Sequence, residues 1–299
     1  MSVNAVVSSR SKLGMSVAAL MALSCSRSPP PSRFPNAEIA LERMRASQAC
    51  SVAVSGEASL DYFGEGGRVK GNLLYLAASP ERVRLDVFSP FGATLSTLTS
   101  DGQRFNWLDL RNKRFVRGPA NTCNLQSFTQ VPLPPHAFVQ LLRGEAPVLR
   151  HEPSATSIDW SGGSYAIRIH GAHQAEQEIR LIPTDADYTL PFDRQRVRVL
   201  SVKVTQANVP LYEVQLSGHE AAATATARVD PEGIDPPVPP SGPACRAELP
   251  RRIHFIVGDA EHDLVLDNKE IQHNPPLQNG VFAVQPVAGV AVQRSPCGE

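Results

Sequence analysis

Five cysteines and eight histidines are the side chains of this 299-residue chain most able to do chemistry, and their spacing decides which chemistry. Cys50, Cys123, Cys245 and Cys297 stand far apart, unlike the close pairs of a zinc knuckle, so two disulfides in an oxidising compartment are the expected use. Three pairings are open. Cys245 with Cys297 is preferred, because it would tie a proline-rich loop to the C-terminus, and it leaves Cys50 with Cys123. His170 and His173 sit in a strand pattern that sends them to opposite faces, so solvated surface histidines are expected and no metal site. His262-Asp263 stands beside a turn and reads as polar punctuation. There is no Gly-x-Ser-x-Gly elbow, no His-Glu-x-x-His and no phosphate-cradling glycine loop, so neither catalysis nor a cofactor is expected.

The fifth cysteine, Cys25, has a different setting. Arg10 and Lys12 precede an apolar run from Leu13 to Leu23, which is shorter than the roughly 20 residues needed to span a bilayer. Residues 1–24 therefore read as a signal peptide. The run ends in Ala22-Leu23-Ser24-Cys25, which resembles a bacterial lipobox and makes Cys25 the expected lipidation site. Ser26, in place of an aspartate, implies the outer membrane by the usual sorting pattern. Residues 25–35, rich in serine and proline, read as an extended tether.

The elements that position everything else follow from alternation. Lys+Arg and Asp+Glu are equal at 29 each, so nothing supports a nucleic-acid partner. Twenty-six prolines and 20 glycines favour a β-rich architecture with many turns. Asn36 is a plausible cap for a helix from Ala37 to about Ser47 with Ala37, Ala40, Leu41 and Met44 on one face. Strand patterns follow at Ser51 to Phe63 and Val69 to Ala77. The next strand alternates Val83, Leu85 and Val87 with Arg82, Arg84 and Asp86, and ends at Ser89-Pro90-Phe91-Gly92. Further strands run around Ala93 to Thr99 and Arg104 to Leu110, joined by Asp101-Gly102. Val131-Pro132-Leu133-Pro134-Pro135 then enters a helix carrying Phe138, Leu141 and Leu142, stopped by Gly144. Hairpin patterns continue beyond Ile158. A change of phase between Val199 and Leu200 signals a bulge. The prolines of Asp230 to Cys245 exclude a central strand, and strands resume with Ile253, so this segment reads as a long loop inside one sheet.

The order of parts from Glu81 to Gly144 resembles LolB, the outer-membrane lipoprotein family that receives lipoproteins from the periplasmic carrier LolA. The family's protruding Asn-Pro-Leu-Gly-Ser-type loop is matched by Ser89-Pro90-Phe91-Gly92-Ala93, with Phe91 at the leucine's position. Its Pro-x-Pro-Leu entry to a helix ending near a glycine is matched by Val131 to Gly144. The match spans residues 37–145.

The combined reading is a mainly β fold: a strongly curved antiparallel sheet, an incomplete half-open barrel with short helices in its concave side, formed by residues 36–299 as one domain. The resemblance implies an apolar cavity for acyl chains. Its lining candidates are Val83, Leu85 and Val87, then Leu95, Phe105 and Trp107, then Phe138, Leu141 and Leu142 on a helix that would act as a lid or, equally, as a permanent core helix. It implies a membrane or acyl-chain contact at Pro90, Phe91 and Gly92. The expected partners are acylated lipoprotein or lipid cargo, a LolA-like carrier, and the outer membrane, reached from its periplasmic side through the lipid anchor. The alternative is an anchored structural or accessory lipoprotein of an envelope complex that uses the same fold as an interaction surface. The anchor is tested directly: Cys25→Ala should abolish metabolic labelling by a fatty acid, and retained labelling would refute the lipobox.

Overall fold

Alternating apolar and polar side chains shape most of residues 27–64, 67–258 and 262–297, which a computed structural model describes. The expected signal peptide and Cys25 lie outside the described residues. The chain opens with α1 (Ala37–Gln48), β1 (Ala53–Gly64), β2 (Gly67–Ala78), β3 (Arg82–Phe88), β4 (Thr94–Ser100), β5 (Arg104–Asp109) and β6 (Arg114–Pro119). Two helices follow, α2 (Thr122–Thr129) and α3 (Pro135–Leu142). Then come β7 (Thr156–Ser161), β8 (Ser164–His170), β9 (Ala175–Pro183), β10 (Val197–Gln206) and β11 (Val209–Ser217). The short β12 (Glu220–Ala221), β13 (Ala223–Thr224) and β14 (Glu248–Leu249) precede β15 (Arg252–Val257), β16 (His262–His273) and β17 (Ala291–Arg294).

Fifteen strands form one sheet, ordered β17-β6-β5-β4-β3-β2-β1-β16-β15-β11-β10-β9-β8-β7, with β13 beside β16. The two ends of that order, β17 and β7, do not pair, so the curved sheet stays open. Only β17 with β6 and β13 with β16 run parallel; every other neighbour is antiparallel. The expected bulge is present: the register of β10 on β9 slips between Val199 and Ser201. The proline-rich segment lies between β13 and β14 and makes only isolated bridges, Arg228 with Val238 and Pro240 with Pro276. The sheet continues on both sides of it.

One face of the sheet covers the helices. Asn36 caps α1 by accepting the Ile39 N–H at 2.9 Å, and Ala37, Ala40, Leu41 and Met44 are buried. Proline occupies the first turn of α3, where a missing N–H costs nothing, and Gly144 at φ +73° turns the chain out after it. Ala137, Phe138, Val139, Leu141 and Leu142 are all buried in the main core together with Val83, Leu85, Leu98 and Phe105.

The cysteine pairing corrects the sequence reading. Cys50 bonds Cys245 and Cys123 bonds Cys297, with Cα separations of 5.2 and 5.7 Å. Cys245 is held where β1 begins, since Asn274 Nδ2 donates to the carbonyls of both Cys50 and Pro243. Cys297 follows β17, six strand spacings from β1 along the sheet, roughly 29 Å at about 4.8 Å each. The preferred Cys245–Cys297 pairing assumed that the two C-terminal segments stay together, but β17 carries the tail away to β6 and α2. Non-reducing peptide mapping should recover the 50–245 and 123–297 linkages. Reduction should lower stability by about 2–4 kcal/mol per bridge.

Candidate functional site

Large apolar side chains on one sheet face need helices to cover them, and here the cover is incomplete. An open cavity of about 520 Å³ remains between the sheet, α2 and α3. That is within the roughly 300–1,000 Å³ typical of small-molecule sites. Leu60 and Tyr62 of β1, Val69 and Leu73 of β2, Leu85 and Val87 of β3, and Trp107 of β5 line the sheet side together with His262, Leu264 and Leu266 of β16. Ser127 to Gln130 at the end of α2 and Phe138 of α3 form the opposite wall.

The register explains why these side chains converge. Leu60 faces Leu266 and Tyr62 faces Leu264 across β1 and β16. Gly71 faces Leu60 on the other side and adds no side chain, and a Cβ there would meet the Phe88 carbonyl at 2.9 Å. Glycine is what lets the Phe88 backbone come that close. Among the described residues, no Asp, Glu, Lys or Arg lines the cavity. The exposed Val69, Ser127 and Gln130 in its lining connect it to solvent. Among the described residues, no group of three or more His, Cys, Asp or Glu is placed to hold a metal ion.

The α2 wall is fixed from behind. Asn121 caps α2 by accepting the Asn124 N–H at 2.9 Å, and its Nδ2 donates to the Cys297 carbonyl at 3.2 Å. Asn124 also bonds Ser295, and the Cys123–Cys297 bridge completes the connection. Gly118 of β6 lets this tail approach, since a Cβ would come within 2.9 Å of Ser295 Cβ. On the cavity side Phe128 packs edge-on to Trp107 at 5.5 Å, and the Arg114 guanidinium lies 5.2 Å from the Trp107 ring. Arg114 is paired with the buried Asp109 at 3.0 Å. Burial alone would raise the Asp109 pKa; hydrogen bonds from Asn112 and the Arg114 charge outweigh it and hold the carboxyl below its ordinary value.

The sequence-derived candidates separate into groups. Leu85, Val87, Trp107 and Phe138 line the cavity. Val83, Phe105, Leu141 and Leu142 are buried in the core and do not reach it. Leu95 is half-buried and does not line the cavity; it sits at the register shift of β4 on β3, where Val87 faces Ser96 and Phe88 faces Thr94. Both leucines have 0% exposure and pack in the core, while Phe138 of the same helix faces the cavity. The Phe91 side chain is 96% exposed, on a loop closed by Ser89 N–H to Ala93 O at 2.8 Å and Gly92 N–H to Ser89 O at 3.0 Å. Gly92 adopts φ +83°, which glycine tolerates without cost.

Sequence reasoning missed α2 and the β16 wall. Asn121 followed by Leu125 and Phe128 was the available signal for α2. His262, read as punctuation, stands at the mouth.

No family model and no curated protein matches this chain. Among solved structures it is similar to a LolA superfamily protein from Nitrosomonas europaea, at 10% identity and TM-score 0.50, covering 84% of this chain and 99% of that one. It is also similar to a DUF1329 family protein from Desulfovibrio piger, at 8% identity and TM-score 0.50, covering 82% and 96%. At such identity the likeness is one of fold.

The geometry separates filling the cavity from damaging the core. Val87→Trp should reduce uptake of an apolar fluorophore such as N-phenyl-1-naphthylamine with little change in Tm. Leu141→Trp should lower stability by about 1–3 kcal/mol through overpacking.

Proposed function

We propose that this protein is a LolB-like outer-membrane lipoprotein that binds acyl chains of lipoproteins or other lipids in its apolar cavity and helps deliver them to the membrane. The observation that carries this reading is the cavity lined mainly by apolar side chains, open to solvent, at the end of the sheet that also bears Phe91. Moving an acyl chain between two apolar environments requires no covalent step. Each buried methylene is worth about 0.8 kcal/mol, so a modestly better cavity in the recipient makes transfer downhill. We read the protein as a binder and not an enzyme, with a LolA-like periplasmic carrier as the donor.

The placement of the exposed apolar residues supports the membrane part. In an antiparallel meander alternate turns share one end of the sheet, and here the turns after β1, β3, β5, β10 and β15 do so. Phe63, Val69, Phe91, Leu110 and Val209 lie at that end with exposures of 53, 50, 96, 36 and 60%. Val69 also lines the cavity, and the Phe91 loop follows directly on Val87 and Phe88 of β3. One phenylalanine entering lipid contributes about 1.5–3 kcal/mol, which biases orientation without anchoring. A lipid anchor at Cys25 would supply the rest.

Phe91→Glu is expected to change stability by no more than about 0.5 kcal/mol, since the ring touches little, while abolishing delivery of acylated cargo to vesicles. Wild-type delivery rates in that variant would remove Phe91 from the mechanism. Native mass spectrometry of protein purified from cells tests the wider reading: co-purifying lipid or acylated peptide supports a carrier, and a clean apo mass supports an anchored scaffold.

A further inference from the structure

Strands β5 and β6 answer one arginine with a carboxylate and leave another without one. Asp109 stands directly opposite Arg114 and bonds it at 3.0 Å. Three residues further along the same pair, Arg117 faces Asn106, and on its other side it faces Arg294 of β17. Side chains alternate along a strand, so Asn106 lies on the face opposite to that of Trp107, away from the apolar cavity. Asn106, Arg117 and Arg294 thus form a row across three strands, with about 4.8 Å between neighbouring strands. Like charges side by side repel, yet neither Arg117 nor Arg294 has an ion pair or a side-chain hydrogen bond among the described residues. The row lines a groove of about 700 Å³ whose far wall is Ala283 to Pro286, part of the segment leading from β16 to β17. Arg104 and Asp101 line it too, but they are committed to each other at 3.2 Å, and Asp101 also accepts the N–H groups of Gln103 and Arg104. The charges of Arg117 and Arg294 remain uncompensated. Their frame is fixed, since Ser295 N–H donates to the Arg117 carbonyl at 2.8 Å, the Cys123–Cys297 bridge holds the tail, and Val284 N–H donates to Thr99 Oγ1 at 3.3 Å.

We propose that Arg117 and Arg294, with Asn106 beside them, bind the phosphate group of a phosphomonoester on the face of the sheet opposite the acyl cavity. Charge selects this class. A phosphomonoester carries close to two negative charges near neutral pH, which balances the two free guanidinium groups, whereas a single carboxylate balances only one. Geometry agrees with charge, because the terminal phosphate oxygens accept paired N–H bonds from planar guanidinium groups, and the Asn106 amide adds a donor without adding charge. Val292, 52% exposed, together with Pro286 and Pro296 offers an apolar flank to the organic part of the ligand. Backbone bonds and a disulfide already hold the two arginine-bearing strands together, so binding has little main-chain ordering to impose. A soluble phosphorylated molecule and a lipid head group share this chemistry. The site is independent of the acyl-binding reading: the sheet lies between the two, and both can be filled at once.

The test offers the same phosphate group from both sources. Glycerol 3-phosphate is titrated calorimetrically into the mature protein, and phosphatidylcholine vesicles with and without phosphatidic acid are used in co-sedimentation. Each is repeated with Arg117→Gln, Arg294→Gln and, as a control of equal charge change, Arg150→Gln, an exposed arginine outside the groove. Arg117→Gln and Arg294→Gln should each weaken binding about tenfold, the size of one charge-assisted hydrogen bond, and Arg150→Gln should not. Calorimetric binding of glycerol 3-phosphate with that pattern supports the site and assigns it a soluble ligand. Binding seen only with vesicles containing phosphatidic acid, with the same pattern, supports it and assigns a lipid head group. Absence of binding in both arms, binding that is indifferent to Arg117→Gln and Arg294→Gln, or an equal loss in Arg150→Gln would overturn it. Uptake of N-phenyl-1-naphthylamine by the same variants reports on the acyl cavity separately, so failure of one site is distinguishable from failure of the other.

Discussion

The pairing of β1 with β16 is the constraint on which the rest of the structure depends. Strands β1 to β6 form one meander and β7 to β11 part of another, and the sheet becomes continuous only because β16 lies between β1 and β15. The β1–β16 register runs from Val54 opposite His273 to Phe63 opposite Asp263, with one slip between Glu57 and Ala58. A buried polar cluster locks its lower end. Asn274 Oδ1 accepts the N–H groups of Val52 and Ala53, while its Nδ2 donates to Cys50 and Pro243. His273 contacts the Ser51 hydroxyl and the Ala247 carbonyl, and burial holds its pKa below the ordinary histidine value. Neutral histidine suits that site, where one ring nitrogen donates to a carbonyl and the other meets a hydroxyl that can donate or accept. The bonds of Asn274 to Val52, Ala53 and Cys50 and of His273 to Ser51 join segments more than 200 residues apart and satisfy backbone groups at the start of β1.

The two disulfides reinforce the two places where the topology is weakest. Cys50–Cys245 fastens the proline-rich segment to the start of β1, where regular pairing ends. Cys123–Cys297 fastens the C-terminal strand, which borders the open side of the sheet, to α2. The second bridge bears on the cavity as well, since α2 is the wall that the sheet does not supply. Position of the tail and shape of the cavity are thus linked through Asn121, Asn124 and Ser295.

The contrast between the two ends of the concave face accounts for where a ligand fits. Around α3, side chains interlock fully: Phe138 stacks on Phe255 at 5.7 Å, and Leu141 and Leu142 have no exposure. Toward the turns that carry Phe63 and Phe91, the end of α2 and Phe138 face the sheet across open space. A packed interior at one end fixes the strands, and the loosely covered end becomes a cavity with an apolar mouth.

The alternation of Val83, Leu85 and Val87, the capped helix after Asn36, the bulge near Leu200 and the turn at Pro90 and Gly92 were all legible in the sequence, because each is set by local sterics and by the period of a strand or helix; exposure of Phe91 was implied only by the family resemblance. The curved, β-rich architecture followed from the same pattern. Long-range choices were not legible. Leu95 falls at the register shift between β3 and β4, which strand period alone does not reveal. Leu141 and Leu142 share a helix face with Phe138, yet they are packed in the core and only Phe138 lines the cavity. The Cys123–Cys297 partnership and the wall formed by Leu264 and Leu266 depend on β17 and β16 returning to strands from the first half of the chain. Periodicity reports which side of an element is apolar; which distant element that side meets is decided by tertiary pairing alone.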